Sequence, residues 1–145
     1  MKAMDELSQG LIEWVVSNGQ CNDFHDSLCL SGYSKLKRIV IGDDCFGKVR
    51  LFELNGLNEL ESIVIGQRSL TYAKMNEDIE NSERKDGTCR IVNCPKLKSI
   101  QIDSYSFGDY HSFELSNLPS LQSVDISGEW CFYWTSFFSL SGLVN

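Results

Sequence analysis

The sequence predicts a mainly β solenoid: a parallel sheet with one strand per repeat of 24–25 residues, a short second strand in each repeat, and few helices. Three observations predict it. A sequence motif is repeated along the chain, apolar residues alternate within each copy, and one corner position contains only Gly or Asn. A unit of this length buries its apolar side only when neighbouring units stack on it, so the fold must be a stack.

The repeated phrase begins with leucine and runs L-x-x-I-x-I in its clearest copies. The copies begin at Leu11, Leu36, Leu60, Leu97 and Leu121, with spacings of 25, 24, 37 and 24 residues. The long spacing contains the polar, non-periodic segment 71–88, which we predict to be an inserted surface loop, more often filler than a functional loop. We therefore expect a single repeat domain over residues 1–145, with an incomplete C-terminal repeat.

Two pairs of apolar columns predict the strands. Side chains two residues apart share one face of a strand, and β-branched residues suit such a surface. The first pair of columns is Trp14, Ile39, Ile63, Ile100, Val124 and Val16, Ile41, Ile65, Ile102, Ile126. The second pair is Leu28, Phe52, Cys89, Phe113, Phe138 and Leu30, Leu54, Ile91, Leu115, Leu140. The second pair predicts a shorter strand on another side of the coil. An apolar anchor between the pairs, at Phe46, Leu70, Phe107 and Phe132, is expected to point inward.

The corner column consists of Gly32, Gly56, Asn93, Asn117 and Gly142. Gly has no Cβ to clash at positive φ, and Asn tolerates that region better than most residues. We therefore expect one left-handed residue at the same corner of each turn. Helical periodicity is scarce, and only Asp5–Leu11 is predicted to form a short capping turn or helix.

Composition limits the classes of partner. The chain has 42% hydrophobic residues and a net charge of −7, so it can form a core and lacks the basic footprint that nucleic acids or anionic membranes require. The acidic surface is read as solubilising, although a basic partner is compatible with it. No secretory signal is visible, and no apolar run approaches the roughly 20 residues that cross a bilayer.

These repeats resemble the leucine-rich-repeat superfamily and, within it, the BspA-like branch, whose units run L-x-x-I-x-I and then I-G-x-x-A-F. The matching pieces are LKRIVIGDDCF, LESIVIGQRSL, LKSIQIDSYSF and LQSVDISGEWCF. The chain departs from the typical pattern because the asparagine ladder position holds Asp44, Arg68, Tyr105 and Glu129. The resemblance implies a leucine-rich-repeat-like curved solenoid used for protein binding or adhesion, without catalysis.

The residues that could act in catalysis or bind a metal match no recognised catalytic or metal-binding motif. Six cysteines permit disulfides or a metal site, but Cys89 and Cys94 occupy apolar columns, so we favour structural thiols. The Cys89–Cys94 gap does not fit a zinc knuckle. His25 and His111 lack partners at a catalytic spacing. The sequence therefore predicts no enzymatic activity, no catalytic residue, no metal and no cofactor.

The candidate binding site is the outward row of the first sheet, because solenoids bind through such continuous ribbons. Its predicted members are Arg38, Val40, Ser62, Val64, Ser99, Gln101, Ser123 and Asp125. The predicted function is a non-catalytic protein-interaction module with a protein partner. The alternative is a structural spacer segment of a longer repeat array, at a cell surface or in adhesion. The row has no aromatic residue, which a tight interface usually contains.

The C-terminal repeat carries a dense aromatic cluster: Trp130, Phe132, Tyr133, Trp134, Phe137 and Phe138. The cluster could form an end cap or stack on a missing repeat. An open solenoid end would expose a section of the core, so we expect either a fragment of a longer array or pairing of the C-terminal end with a partner or in end-to-end self-association. No membrane insertion is predicted. Thiols and the missing signal favour the cytoplasm, whereas the family resemblance points to cell surfaces.

Overall fold

The computed structural model describes residues 2–72, 86–126, 128–133 and 135–143. Ten strands form two parallel sheets of five strands each. The first sheet contains, in spatial order, β1 (Glu13–Val16), β3 (Arg38–Ile41), β5 (Ser62–Ile65), β7 (Ser99–Ile102) and β9 (Ser123–Asp125). The second contains β2 (Leu28–Leu30), β4 (Leu51–Asn55), β6 (Gly87–Val92), β8 (Tyr110–Ser116) and β10 (Phe137–Ser141) in that order. The chain alternates between the sheets, so the molecule is a β-solenoid of about five turns.

The register confirms the predicted columns. Trp14 pairs with Ile39, Ile39 with Ile63, Ile63 with Ile100, and Ile100 with Val124. The strands of the second sheet pair through Leu28, Phe52, Cys89, Phe113 and Phe138, with one register shift between Gly87 and Thr88 where β6 pairs with β8. The inward residues of both sheets meet in one core, and the prediction of a mainly β solenoid with two strands per repeat is confirmed.

Three local features differ from the sequence expectations. The second strand is the shorter one only in the first repeat, where β2 has three residues and β1 has four. In the later repeats it is the longer one; β6 and β8 have six and seven residues, whereas no strand of the first sheet exceeds four. The helix, α1 (Lys2–Asp5), precedes most of the predicted capping segment, which continues as turns. Strand β6 already includes Gly87 and Thr88, the last two residues of the predicted 71–88 loop. Residues 73–85 of that loop lie outside the described chain.

Left-handed residues occupy three columns of the coil rather than one. The predicted corner is confirmed, with φ of 77° at Gly32, 73° at Gly56, 56° at Asn93, 53° at Asn117 and 62° at Gly142. A second column holds Gly19, Asp44, Arg68, Tyr105 and Trp130, and a third holds Cys21, Phe46, Leu70, Phe107 and Phe132. Every positive-φ residue of the described chain belongs to one of these columns, so each turn of the coil has three left-handed corners.

The two ends of the solenoid differ. At the N-terminal end, Met4, Leu7, Leu11 and Phe24 pack on the core, and the inward residue Trp14 of the edge strand is completely buried. At the C-terminal end, the equivalent inward residues Val124, Phe138 and Leu140 are exposed. Thus one end of the core is covered and the other is open within the residues that the structure describes.

Candidate functional site

The structure brings the eight predicted row residues together on one face of the first sheet. Arg38, Ser62, Ser99 and Ser123 are consecutive register partners, and so are Val40, Val64, Gln101 and Asp125. Parallel neighbours in a sheet lie about 4.8 Å apart, so these side chains form two adjacent rows across four strands. The geometry of the predicted ribbon is therefore present.

Strand β1 extends both rows by residues that the prediction omitted. Glu13 pairs with Arg38 and Val15 pairs with Val40. The alternation that identified the other members applies equally to the repeat beginning at Leu11, so this extension was accessible from the sequence. Each row consequently crosses all five strands of the sheet.

The chemistry of the ribbon changes along the solenoid. At the N-terminal side, Val15, Val40 and Val64 form an apolar stripe, and Val15 is 45% exposed. Glu13 and Arg38 form an ion pair at 3.3 Å beside this stripe. Both charged side chains are about half exposed, so the pair contributes little to stability. At the C-terminal side the ribbon becomes polar, with Gln101 and Asp125 exposed.

The outward face of the second sheet holds a charge ladder that the sequence did not identify. Glu53, Arg90 and Glu114 are consecutive register partners, and Arg90 contacts both carboxylates, with Nε donating to Glu114 Oε1 at 2.8 Å. The hydrogen bond from Arg90 is the main cause that lowers the pKa of Glu114. The two glutamates share one guanidinium, so the ladder braces three neighbouring strands.

A second polar group is buried between the sheets and the ends of the insertion. The Asp109 carboxylate, completely buried, accepts hydrogen bonds from Arg50 Nη2 at 3.0 Å, Thr71 Oγ1 at 3.2 Å and Tyr72 N at 3.1 Å. The Arg50 guanidinium also lies over the Tyr110 ring, 4.9 Å from its centroid. This arrangement fixes the residues where the insertion leaves the coil. Its components are distant in sequence and carry no periodic signal, which is why sequence reasoning missed it.

A ladder of small hydrogen-bonding side chains runs along one corner of the core. Its members are the residues that precede the apolar anchors: Cys45, Ser69, Ser106 and Cys131. Ser69 Oγ donates to Gly42 O at 2.6 Å and accepts from Cys45 N at 3.1 Å. Ser106 Oγ donates to Gly66 O at 2.6 Å and accepts from Ser69 N at 3.2 Å. The ladder thus satisfies backbone N–H and C=O groups of neighbouring turns.

The cysteines occupy positions consistent with structural thiols. Cys21, Cys45, Cys89 and Cys94 are buried, whereas Cys29 is exposed. Burial raises the pKa of Cys89 well above its ordinary value, and burial raises that of Cys131 to about 11. Raised pKa values oppose formation of the nucleophilic thiolate.

His25 and His111 are both exposed, and His111 packs edge-on against Phe137 with ring centroids 5.0 Å apart. In the part of the chain that is described, no group of three His, Cys, Asp or Glu side chains is arranged to hold a metal ion. Nor does any described helix have the length and hydropathy needed to cross a membrane.

The aromatic cluster of the C-terminal repeat is divided between core and surface. Phe132 is buried and stacks on Phe107 at 4.9 Å with nearly parallel rings. Phe137 and Phe138 are exposed, and Trp130 packs against Tyr133 at 4.3 Å. Trp134 lies outside the described residues.

Comparison of the chain with protein-family models, curated proteins and solved structures gave no match.

Proposed function

We propose that this chain is a non-catalytic protein-interaction module of leucine-rich-repeat type, akin to the BspA-like branch, that binds a protein partner through the outward ribbon of its first sheet. The observation that carries the proposal is the register. It aligns two outward side-chain rows over five strands, and the members of these rows are exposed or half-buried. Extended ribbons of this kind provide the contact surface of many solenoids.

The side chains of the ribbon favour a flat partner surface. Most members are Val or Ser and none is aromatic, so the face has no projecting aromatic anchor. A matching partner would place apolar side chains on the stripe Val15–Val40–Val64 and polar groups on Gln101 and Asp125. Interfaces in which an apolar centre adjoins a polar rim have this composition.

The rival interpretation, a structural spacer in a longer array, makes the opposite prediction about this face. A spacer is held by its neighbours along the solenoid axis and needs no contact on the outward ribbon. Substitutions in the ribbon therefore distinguish the two functions without a change of fold.

The test is quantitative affinity capture from the native source with three forms of the chain. A ribbon variant carries Arg38→Ala, Gln101→Ala and Asp125→Ala. A matched control carries Lys48→Ala, Gln9→Ala and Asp26→Ala, which remove one cation, one amide and one carboxylate from exposed positions outside the first sheet. Proteins that are captured by the parent and the control but at least about tenfold less by the ribbon variant would support the proposal.

Equal capture by all three forms would contradict binding through the ribbon and favour the spacer. A fourth form, in which a short linker replaces residues 73–85, tests the insertion separately. The replacement leaves Thr71, Tyr72 and Gly87 in place, so the hydrogen bonds to Asp109 and strand β6 are retained.

A further inference from the structure

The open end of the solenoid combines two unpaired strand edges with exposed apolar side chains. Strands β9 and β10 are the last strands of their sheets, and no described strand pairs with their outer edges. Large apolar residues here are 40–63% exposed: Val124, Tyr133, Phe137, Phe138 and Leu140. Unpaired backbone groups at such an edge can hydrogen-bond to another strand, and exposed apolar area adds to the stability of that contact.

We propose that two copies of this chain associate through their C-terminal ends, with β10 of one copy pairing antiparallel to β10 of the other. The two-fold axis would pass near Ser139, the middle residue of β10. The result would be a closed dimer in which both solenoids share one continuous core.

The covered N-terminal end decides the symmetry of this association. Met4, Leu7, Leu11 and Phe24 pack on the core at that end, so the open end of a second copy meets no exposed core there. A head-to-tail stack is therefore disfavoured, and contact between two open ends is isologous. An isologous contact closes at two copies and does not grow into a filament.

The sequence of β10 suits pairing with itself. An antiparallel arrangement centred on Ser139 places Phe138 opposite Leu140 of the second copy and Leu140 opposite its Phe138. Aromatic and aliphatic residues directly opposite each other are favourable cross-strand pairs. The strand FFSLS has no charged residue, so two copies bring no like charges together along this edge despite a net charge of −7 on each chain.

The available area is sufficient for a specific contact. At roughly 150–250 Å² for a large side chain, the exposed fractions of the five apolar residues amount to about 500 Å² per copy. Complete burial of these residues in both copies would remove about 1,000 Å² of apolar surface from water, an upper value for this contribution that matches the smallest area expected of a specific interface.

Cysteine crosslinking tests the proposed register. Antiparallel partners have Cα atoms about 4.5 or 5.5 Å apart, and both distances allow a disulfide. In a Cys29→Ser background, which removes the exposed native thiol, Ser139→Cys should give a covalent dimer under mild oxidation. Ser31→Cys is the matched control, since Ser31 is exposed beside β2 at the covered end and should stay uncrosslinked. Failure of Ser139→Cys to crosslink, or equal crosslinking of both variants, would overturn the proposal.

Sedimentation equilibrium of the full 145-residue chain tests the association itself. A dimer has twice the 16.4 kDa mass of the chain. Leu140→Glu places a charge in the contact and should weaken association by more than about 100-fold. Ile12→Glu changes a large apolar residue of similar exposure at the other end, 56% for Ile12 and 61% for Leu140, and should leave the dimer intact. A parent chain that is monomeric, or a Leu140→Glu variant that dimerises like the parent, would contradict the proposal. Circular dichroism establishes that both variants remain folded.

Discussion

Phe46, Leu70 and Phe107 combine two properties that oppose each other energetically. Their φ values are 55°, 55° and 54°, and all three side chains are completely buried. A left-handed backbone costs an ordinary residue roughly 1–2 kcal/mol, whereas burying Phe or Leu contributes about 1.5–3 kcal/mol. Burial therefore outweighs the strain, and the left-handed backbone is retained because it directs the anchor into the core.

The sequence could reveal only one of the three left-handed columns. Gly and Asn indicate positive φ at positions such as Gly56 and Asn117, since these residue types tolerate it best. Asp44, Arg68 and Tyr105 carry no such signal. Their backbone is held by hydrogen bonds between turns, for example Arg68 N to Ser104 O at 2.9 Å and Tyr105 N to Glu129 O at 2.8 Å. Such long-range bonds are not visible in local composition.

Gly56→Val tests the cost of a left-handed corner with little interference from packing. Gly56 has φ of 73°, and a Cβ added there would meet no atom within 4 Å, so only backbone strain is introduced. We expect the free energy of unfolding to fall by about 1–2 kcal/mol in urea denaturation. Gly10→Val is the control, because that site is equally open and lacks positive φ. A neutral Gly56→Val would refute the strain at this corner.

At the scale of secondary-structure elements, adjacent turns are joined by side chains as well as by strand pairing. The Ser and Cys ladder supplies hydrogen bonds where the chain leaves the first sheet, and the Glu53–Arg90–Glu114 ladder braces the second sheet. The strands themselves were predictable, because alternation and β-branched columns determine their register. The ladders were not, because Ser, Cys, Glu and Arg at outward or corner positions have many surface roles.

Ser106→Ala tests the corner ladder. Ser106 is completely buried, and its hydroxyl donates to Gly66 O and accepts from Ser69 N. Removing it leaves buried backbone groups without these bonds, so we expect a loss of about 1–3 kcal/mol in unfolding free energy. Ser106→Cys should retain most of the stability, since Cys45 and Cys131 occupy equivalent positions and donate to backbone carbonyls. Equal destabilisation by both substitutions would show that a thiol cannot replace the hydroxyl at this position and would contradict the prediction.

Glu114→Gln tests the charge ladder through its pH dependence. The pKa of Glu114 is lowered in the folded protein, first by the hydrogen bond from Arg90. A carboxyl group whose pKa is lowered by folding stabilises the folded protein at pH values above its unfolded-state pKa of about 4.3. That stabilisation is lost as the pH falls through the folded-state pKa. We expect Glu114→Gln to lower the free energy of unfolding by about 0.5–1 kcal/mol at pH 7, a small loss because the site is partly exposed. The loss should become progressively smaller below pH 4. Urea unfolding of both proteins from pH 7 to pH 3 measures the difference; a constant difference would contradict the prediction.

At the scale of the whole molecule, the solenoid behaves as a one-dimensional stack, because each described strand pairs only with the adjacent strands of its own sheet. The stability of a turn then depends on its own contacts and on the neighbours that cover it. Inner strands such as β4 and β6 have a neighbour on both sides, whereas β9 and β10 have one. The N-terminal edge strands also have one neighbouring strand, but Met4 and Leu7 pack against the core beside them.

This asymmetry predicts a gradient of local opening that hydrogen exchange can measure. At low protein concentration, amides that bond β10 to β8 should exchange before those that bond β4 to β6, and before those that bond β1 to β3, because the C-terminal turn opens without uncovering the rest of the stack. Raising the concentration should slow exchange in β9 and β10 alone if two copies pair through their open ends, since only that edge gains a new neighbour. Exchange at one common rate in all strands would instead show that the five turns open as a single cooperative unit.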